Sequence, residues 1–116
     1  MKVLYHVDEG AKWALTLTNV QNMIAYYGEH GQAYEIEIVA NSEAVSALTR
    51  DQAGERGLLP ILEGFRGLPV RVAACANALR AQKIALESLW DGVQVVPAGV
   101  VEIARRETEG YAYLKP

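Results

Sequence analysis

One side chain in this sequence is a candidate nucleophile, the thiol of Cys75, which is also the only cysteine. It lies in the run Val70-Arg-Val-Ala-Ala-Cys-Ala-Asn-Ala-Leu-Arg80, which reads as a buried strand turning into a helix at the cysteine. A thiol at a helix N-terminus faces unpaired backbone N–H groups and the positive end of the helix dipole. Both favour the thiolate, the form that attacks sulfur or carbon electrophiles. The competing reading is packing, because cysteine often serves as a small buried hydrophobe and Ala-Ala-Cys-Ala suits a tight strand end. The residues alone leave both readings open.

The side chains that could assist Cys75 depend on what surrounds it. In open parallel sheets, ligands bind outside the carboxyl ends of the strands. The loop after the first strand carries His6, Asp8 and Glu9 to that edge, and the loop after the second carries Asn41 and Ser42. Asn77, two residues past the cysteine, is placed to cap the helix or to bond a ligand. His6 reads either as a base or cation beside the thiol or as a hydrogen-bonded histidine at a strand end. The second reading is preferred, since sequence gives no distance to Cys75. Asp8 and Glu9 precede a helix, where acidic residues suit the dipole without any ligand.

The elements that must hold these residues follow from hydrophobic spacing. Lys2–Val7 reads as a strand, and Trp13–Tyr27 has apolar residues at helical spacing, with Gly28 and Gly31 as the stop. Tyr34–Ala40 is a second strand. Asn41 or Ser42 can cap a short helix through Leu48, and a further helix is expected over Gly54–Phe65, weakened by Gly57 and Pro60. Val70–Ala74 is the third strand, followed by a helix to about Ile84 or on to Leu89. Val93–Val96, a helix over Gly99–Glu109 and a short strand at Tyr111–Leu114 complete the chain. Strands separated by helices demand a mostly parallel sheet with helices on both faces. The expected fold is a three-layer α/β/α sandwich with a five-stranded, mostly parallel sheet, one domain over residues 1–116.

Asn19 and Asn22 share a helix face, and the tyrosines and tryptophans read as core or interface. Tyr111 and Tyr113 alternate with Ala112 and Leu114, so they share one strand face, which fits a subunit contact. Arg105-Arg106 suits the C-terminal end of the last helix.

Bulk properties narrow the function. The chain has 116 residues, 51% of them hydrophobic and 22% charged, enough for a single core. A net charge of −3 and scattered basic residues argue against nucleic acid as the ligand. One cysteine makes no intramolecular disulfide, no spacing matches a metal site, and no apolar run reaches membrane-spanning length. The opening residues read as a strand rather than a signal peptide, so a cytoplasmic protein with a reduced thiol is expected. No metal or organic cofactor is implied.

Five stretches together resemble one known family. They are Val70–Ile84, Tyr5-His-Val-Asp-Glu with Lys12-Trp13, Asn19-Val-Gln-Asn22, Val95-Val-Pro-Ala-Gly99 and Glu109-Gly-Tyr-Ala-Tyr-Leu-Lys-Pro116. They resemble the small single-domain branch of the DsrE/DsrF-like sulfur-relay family, over nearly the whole chain. The resemblance implies a five-stranded α/β/α domain assembled into trimers or hexamers. It implies that the cysteine carries sulfur as a persulfide between donor and acceptor proteins, a role that falls on Cys75. One departure is Lys83, where the family commonly has glycine. Glycine would suit a left-handed helix end, whereas lysine implies a longer helix or a different exit. The alternatives are a non-catalytic binding module for a small molecule or nucleotide, disfavoured for nucleotides by the missing GxGxxG and P-loop, and an oligomeric adaptor with Cys75 buried.

Overall fold

The computed structural model describes residues 1–116. Five strands, β1 (Lys2–Val7), β2 (Glu35–Ala40), β3 (Val70–Cys75), β4 (Val93–Val96) and β5 (Ala112–Leu114), form one sheet in the order β4-β3-β2-β1-β5. Every neighbouring pair is parallel. The helices are α1 (Trp13–Glu29), α2 (Arg50–Glu55), α3 (Leu59–Gly64), α4 (Ala76–Ala81) and α5 (Gly99–Thr108). No helix is long and apolar enough to cross a membrane.

A parallel sheet needs cover on both faces, and the alternation of each strand supplies two apolar surfaces. Val3, Tyr5, Val7, Ile36, Ile38, Val72 and Ala74 pack with Trp13, Leu17 and Val20 of α1 in the main core. Leu4, Val39, Ala73 and Tyr111 form a smaller cluster on the other face with Ile103 of α5. The result is a three-layer α/β/α sandwich whose second outer layer is a single helix.

Several helix limits differ from the sequence expectation, each for a local reason. The segment expected as one helix over Gly54–Phe65 is two helices. Thr49 caps α2 by accepting from the Gln52 N–H at 3.1 Å, so the helix starts at Arg50. Thr49-x-x-Gln52 has the spacing of a capping box, a signal that was legible. Gly57 then takes a left-handed φ of 71° and ends α2, while Pro60 sits in the first turn of α3, where no N–H is needed. Ser42–Leu48 winds as 3-10 turns, and the Asn41 side chain caps nothing because its oxygen is bonded elsewhere.

The helix after Cys75 stops at Ala81, short of Ile84 and Leu89. Lys83 adopts φ 57°, with its N–H bonded to the Arg80 carbonyl and the Ile84 N–H to the Leu79 carbonyl. This is a Schellman ending in which lysine occupies the left-handed position that favours glycine. The lysine therefore neither lengthens the helix nor redirects the exit. Ile84 packs against the core just beyond it.

On the α5 face, a carboxyl group is buried in the middle of the sheet. Glu37 of β2 has no exposed side-chain surface, and its Oε1 accepts from Arg71 Nε at 3.1 Å and Arg106 Nε at 2.7 Å. Arg106 also bonds Glu102 at 3.1 Å and Glu109 at 3.0 Å, and its guanidinium stacks over Tyr111. Burial, reinforced by a hydrogen bond with Glu102, raises the Glu37 carboxyl to about 7. The same hydrogen bond, with help from Arg105 and Arg106, lowers Glu102 to about 2. Glu37 Oε2 has no partner as an acceptor, and a proton there turns it into a donor to Glu102. One proton shared between the two carboxyls accounts for these opposite shifts.

Two outcomes are expected. Replacing Lys83 by glycine relieves a left-handed side chain and raises stability by about 0.5–1 kcal/mol in a denaturant titration; an unchanged or lower midpoint contradicts the helix ending described. The second concerns pH. Below the ordinary glutamate range the unfolded chain binds both protons and the folded chain one, so stability falls toward acid. Above that range the unfolded chain has released both and the folded chain still keeps one, so stability also falls as pH climbs to about 7. Glu37→Gln retains the neutral donor permanently. Its melting temperature should gain on the parent steadily between about pH 5 and 7, and parallel profiles would contradict a shared proton.

Candidate functional site

The strand order sets which residues meet at the carboxyl edge. Reading across the sheet from β3 through β2 and β1 to β5, the edge presents Cys75, Asn41, His6 and Tyr113. His6 is held at both ring nitrogens. Its Nε2 lies 2.9 Å from Asn41 Oδ1 and its Nδ1 lies 2.6 Å from the Tyr113 hydroxyl. A neutral imidazole with its hydrogen on Nε2 satisfies both, donating to Asn41 and accepting from Tyr113. The ring also packs at 5.7 Å from the Tyr113 ring.

Asn41 links this row to the cysteine through α5. A Cβ placed on Gly99, the first residue of that helix, would stand 3.1 Å from Asn41 Cβ and 3.4 Å from Cys75 Cβ. The start of α5 therefore rests directly on both residues, and it can do so because position 99 has no side chain. Ala98 before it offers no side-chain cap, so the first N–H groups of α5 lack that partner beside the two residues. The sequence marks Gly99 as a helix start, but not what that start packs against. A glycine at a helix start after a strand permits a close approach there, and the structure supplies one.

Cys75 itself is the residue preceding α4, in extended conformation at φ −69°, and its side chain makes no capping bond. It is 7% exposed and has apolar neighbours in the main core. The expectation of a strand end leading into a helix holds. The helix is only six residues long, so its dipole is a weaker influence than the sequence reading assumed.

The remaining candidates are placed as follows. Asp8 pairs with Lys115 at 2.9 Å, and the hydrogen bond from that lysine lowers its carboxyl below the usual range. It fastens the C-terminal residues across the edge. Asn77 is exposed and accepts from Arg80 one turn on, so it does not cap α4. Tyr113 belongs to the His6 row. Tyr111, expected on a subunit contact with it, is 5% exposed and lies beneath Arg106 in the chain's own polar cluster. Arg106 likewise does more than match the helix dipole, since it anchors α5 to Glu37. No group of three or more His, Cys, Asp and Glu side chains converges as a metal site would require.

The fold and this edge define a small α/β/α protein with one cysteine beside a glycine-started helix. Among solved structures, the chain is similar to MTH1491 from Methanobacterium thermoautotrophicum, described as a protein of unknown function. The identity is 36%, with 99% of this chain and 98% of that one covered and a TM-score of 0.82. At that level over the full length, the chain belongs to the same family as MTH1491. It is also similar to the ychN protein from E. coli at 21% identity, with both chains fully covered and a TM-score of 0.66, which shows the shared fold. No family model matches the chain, and no curated protein matches it.

The close approach at position 99 is directly testable. Gly99→Ala forces Asn41 or α5 to shift and should destabilise by about 1–2 kcal/mol in chemical denaturation. It should also perturb the amide resonances of Asn41 and Cys75 together. An alanine variant as stable as the parent would mean that α5 begins farther from the edge.

Proposed function

We propose that the protein is a sulfur carrier that holds sulfur as a persulfide on Cys75 and passes it to a partner thiol. The observation that carries this reading is the contact of Cys75 with the uncapped start of α5 through Gly99. Helix-start N–H groups are suited to an anion, and both a thiolate and a persulfide anion qualify. The resemblance of Val70–Ile84 and the other stretches to DsrE/DsrF-like sulfur-relay proteins supports the same chemistry.

The step is a thiol exchange. The Cys75 thiolate attacks the outer sulfur of a donor persulfide, R–S–SH, forming a new S–S bond while the donor's S–S bond breaks. The donor leaves as R–S⁻ with the bonding electron pair. An acceptor thiolate then attacks the outer sulfur on Cys75 and releases the cysteine as a thiolate. Sulfur moves with no net oxidation, and neither a metal nor an organic cofactor takes part. Such a carrier suits a reducing cytoplasm, where donor and acceptor proteins must reach the edge. Val100, Val101, Tyr113 and Leu114 are exposed there and offer apolar area to a partner or to further copies in a trimer or hexamer.

A second reading is favoured by the 7% exposure of Cys75 and its apolar neighbours. In that reading the cysteine is packing and the protein is a binding module or oligomeric adaptor. Intact-mass spectrometry separates the two. Incubated with a polysulfide or a cysteine persulfide, the folded protein should gain one sulfur, lose it to added thiol, and be blocked by prior alkylation. Cys75→Ser should gain none. Alkylation that occurs only after denaturation, with no sulfur taken up by the native protein, would establish the packing role instead.

A further inference from the structure

At the opposite, amino-terminal edge of the sheet, a cleft of about 520 Å³ opens on the α5 side. Its apolar side includes Leu68 and Pro69, and its polar side includes Arg71, Arg106, Glu35 and Tyr111. Two guanidinium groups thus face one cavity, and each has a terminal nitrogen with no protein partner. Arg71 commits Nε to Glu37 and makes a long 3.4 Å contact from Nη2 to the Tyr111 hydroxyl, leaving Nη1 free. Arg106 commits Nε to Glu37 and Glu102 and Nη1 to Glu109, leaving Nη2 free. Glu37 is the only carboxylate bonded to Arg71, and it is shared with Arg106. While Glu37 holds its proton, Arg71 is a half-buried cation with a neutral neighbour.

We propose that this cleft binds a small organic monocarboxylate, its oxygens taken by Arg71 Nη1 and Arg106 Nη2 and its hydrocarbon part laid on Leu68 and Pro69. Planar guanidinium edges suit a planar carboxylate. A single negative charge fits better than a dianion, because the Glu35 carboxylate lines the same cleft and is held there by the Tyr111 hydroxyl at 3.0 Å. Binding is coupled to Glu37, whose ionisation supplies a competing charge for both arginines. The charged groups around that carboxyl are Arg71 from β3, with Glu102 and Arg106 from α5. Arg105 on the same helix and Glu109 just past its end flank them, Glu35 lies on β2, and Lys2 of β1 stands over Tyr111. Loss of the Glu37 proton as pH rises through about 7 therefore weakens the ligand.

The test is an NMR titration of the isotope-labelled full chain with butyrate and, separately, with inorganic phosphate. Butyrate should saturate, with shifts centred on Arg71, Gly92 and Gln94, and phosphate should bind more weakly. Arg71→Gln should weaken butyrate by about tenfold or more, the equivalent of one charge-assisted hydrogen bond. Affinity should fall with rising pH in the parent and stay level in Glu37→Gln. Scattered non-saturating shifts, phosphate binding as tightly as butyrate, or an unaffected Arg71→Gln variant would each overturn the assignment. If Arg71→Gln does not fold, Glu37→Gln decides: level affinity upholds the coupling, and a fall matching the parent overturns it.

Discussion

A carboxyl group with no exposed surface lies on the central strand β2, and the arrangement of the α5 face depends on how it is satisfied. Glu37 would be very costly there as an isolated ion. Arg71, Arg106 and a proton shared with Glu102 make it tolerable, and they also specify which helix covers that face and in what register. An apolar residue at position 37 would bury more easily but would not tell one position of α5 from another. Buried ionic groups often add little net stability while fixing a single arrangement. Here the arrangement fixed is the position of a helix whose two ends face two different openings of the sheet.

That helix connects the two halves of the functional picture. Its C-terminal part, with Arg106, stands over the amino-edge cleft. Its first residue, Gly99, rests on Cys75 and Asn41 at the carboxyl edge. The three-layer fold is unequal for this reason. One face has four helices and a large apolar core, and the other relies on one helix, a small cluster and an ion network. The buried ion network lies on the thinner side, where Glu37 is fully covered while Arg71 is still partly exposed.

The carboxyl-edge row shows how neighbouring strands convert separate residues into one system. His6, Asn41 and Tyr113 come from β1, the end of β2 and β5, and none is near another in the chain. With both ring nitrogens engaged, the histidine orients Asn41 rather than standing free as a base. Tight packing around Cys75 has two consequences: it gives the thiol a defined place beside the start of α5, and it restricts the reagents that can reach it.

Hydrophobic period and turn residues were enough to determine the order of elements, the all-helix crossovers between strands and the edge on which Cys75 lies. Those signals are local, repeating every two or about 3.6 residues, so one chain suffices to read them. The capping spacing at Thr49-x-x-Gln52 is equally local, and it marks a helix start ahead of Gly54, where the expected helix began. Position 83 was ambiguous, because lysine does not announce the left-handed turn that the surrounding Schellman bonds impose on it. Strand alternation marks Glu37 and Val39 for the same face, but not that a charged group there would be covered. The partners of Glu37, His6 and Gly99 lie dozens of residues away, and only folding sets those distances. Burial, shared protons and close backbone approach arise from long-range contacts, and these were decided by the tertiary structure alone.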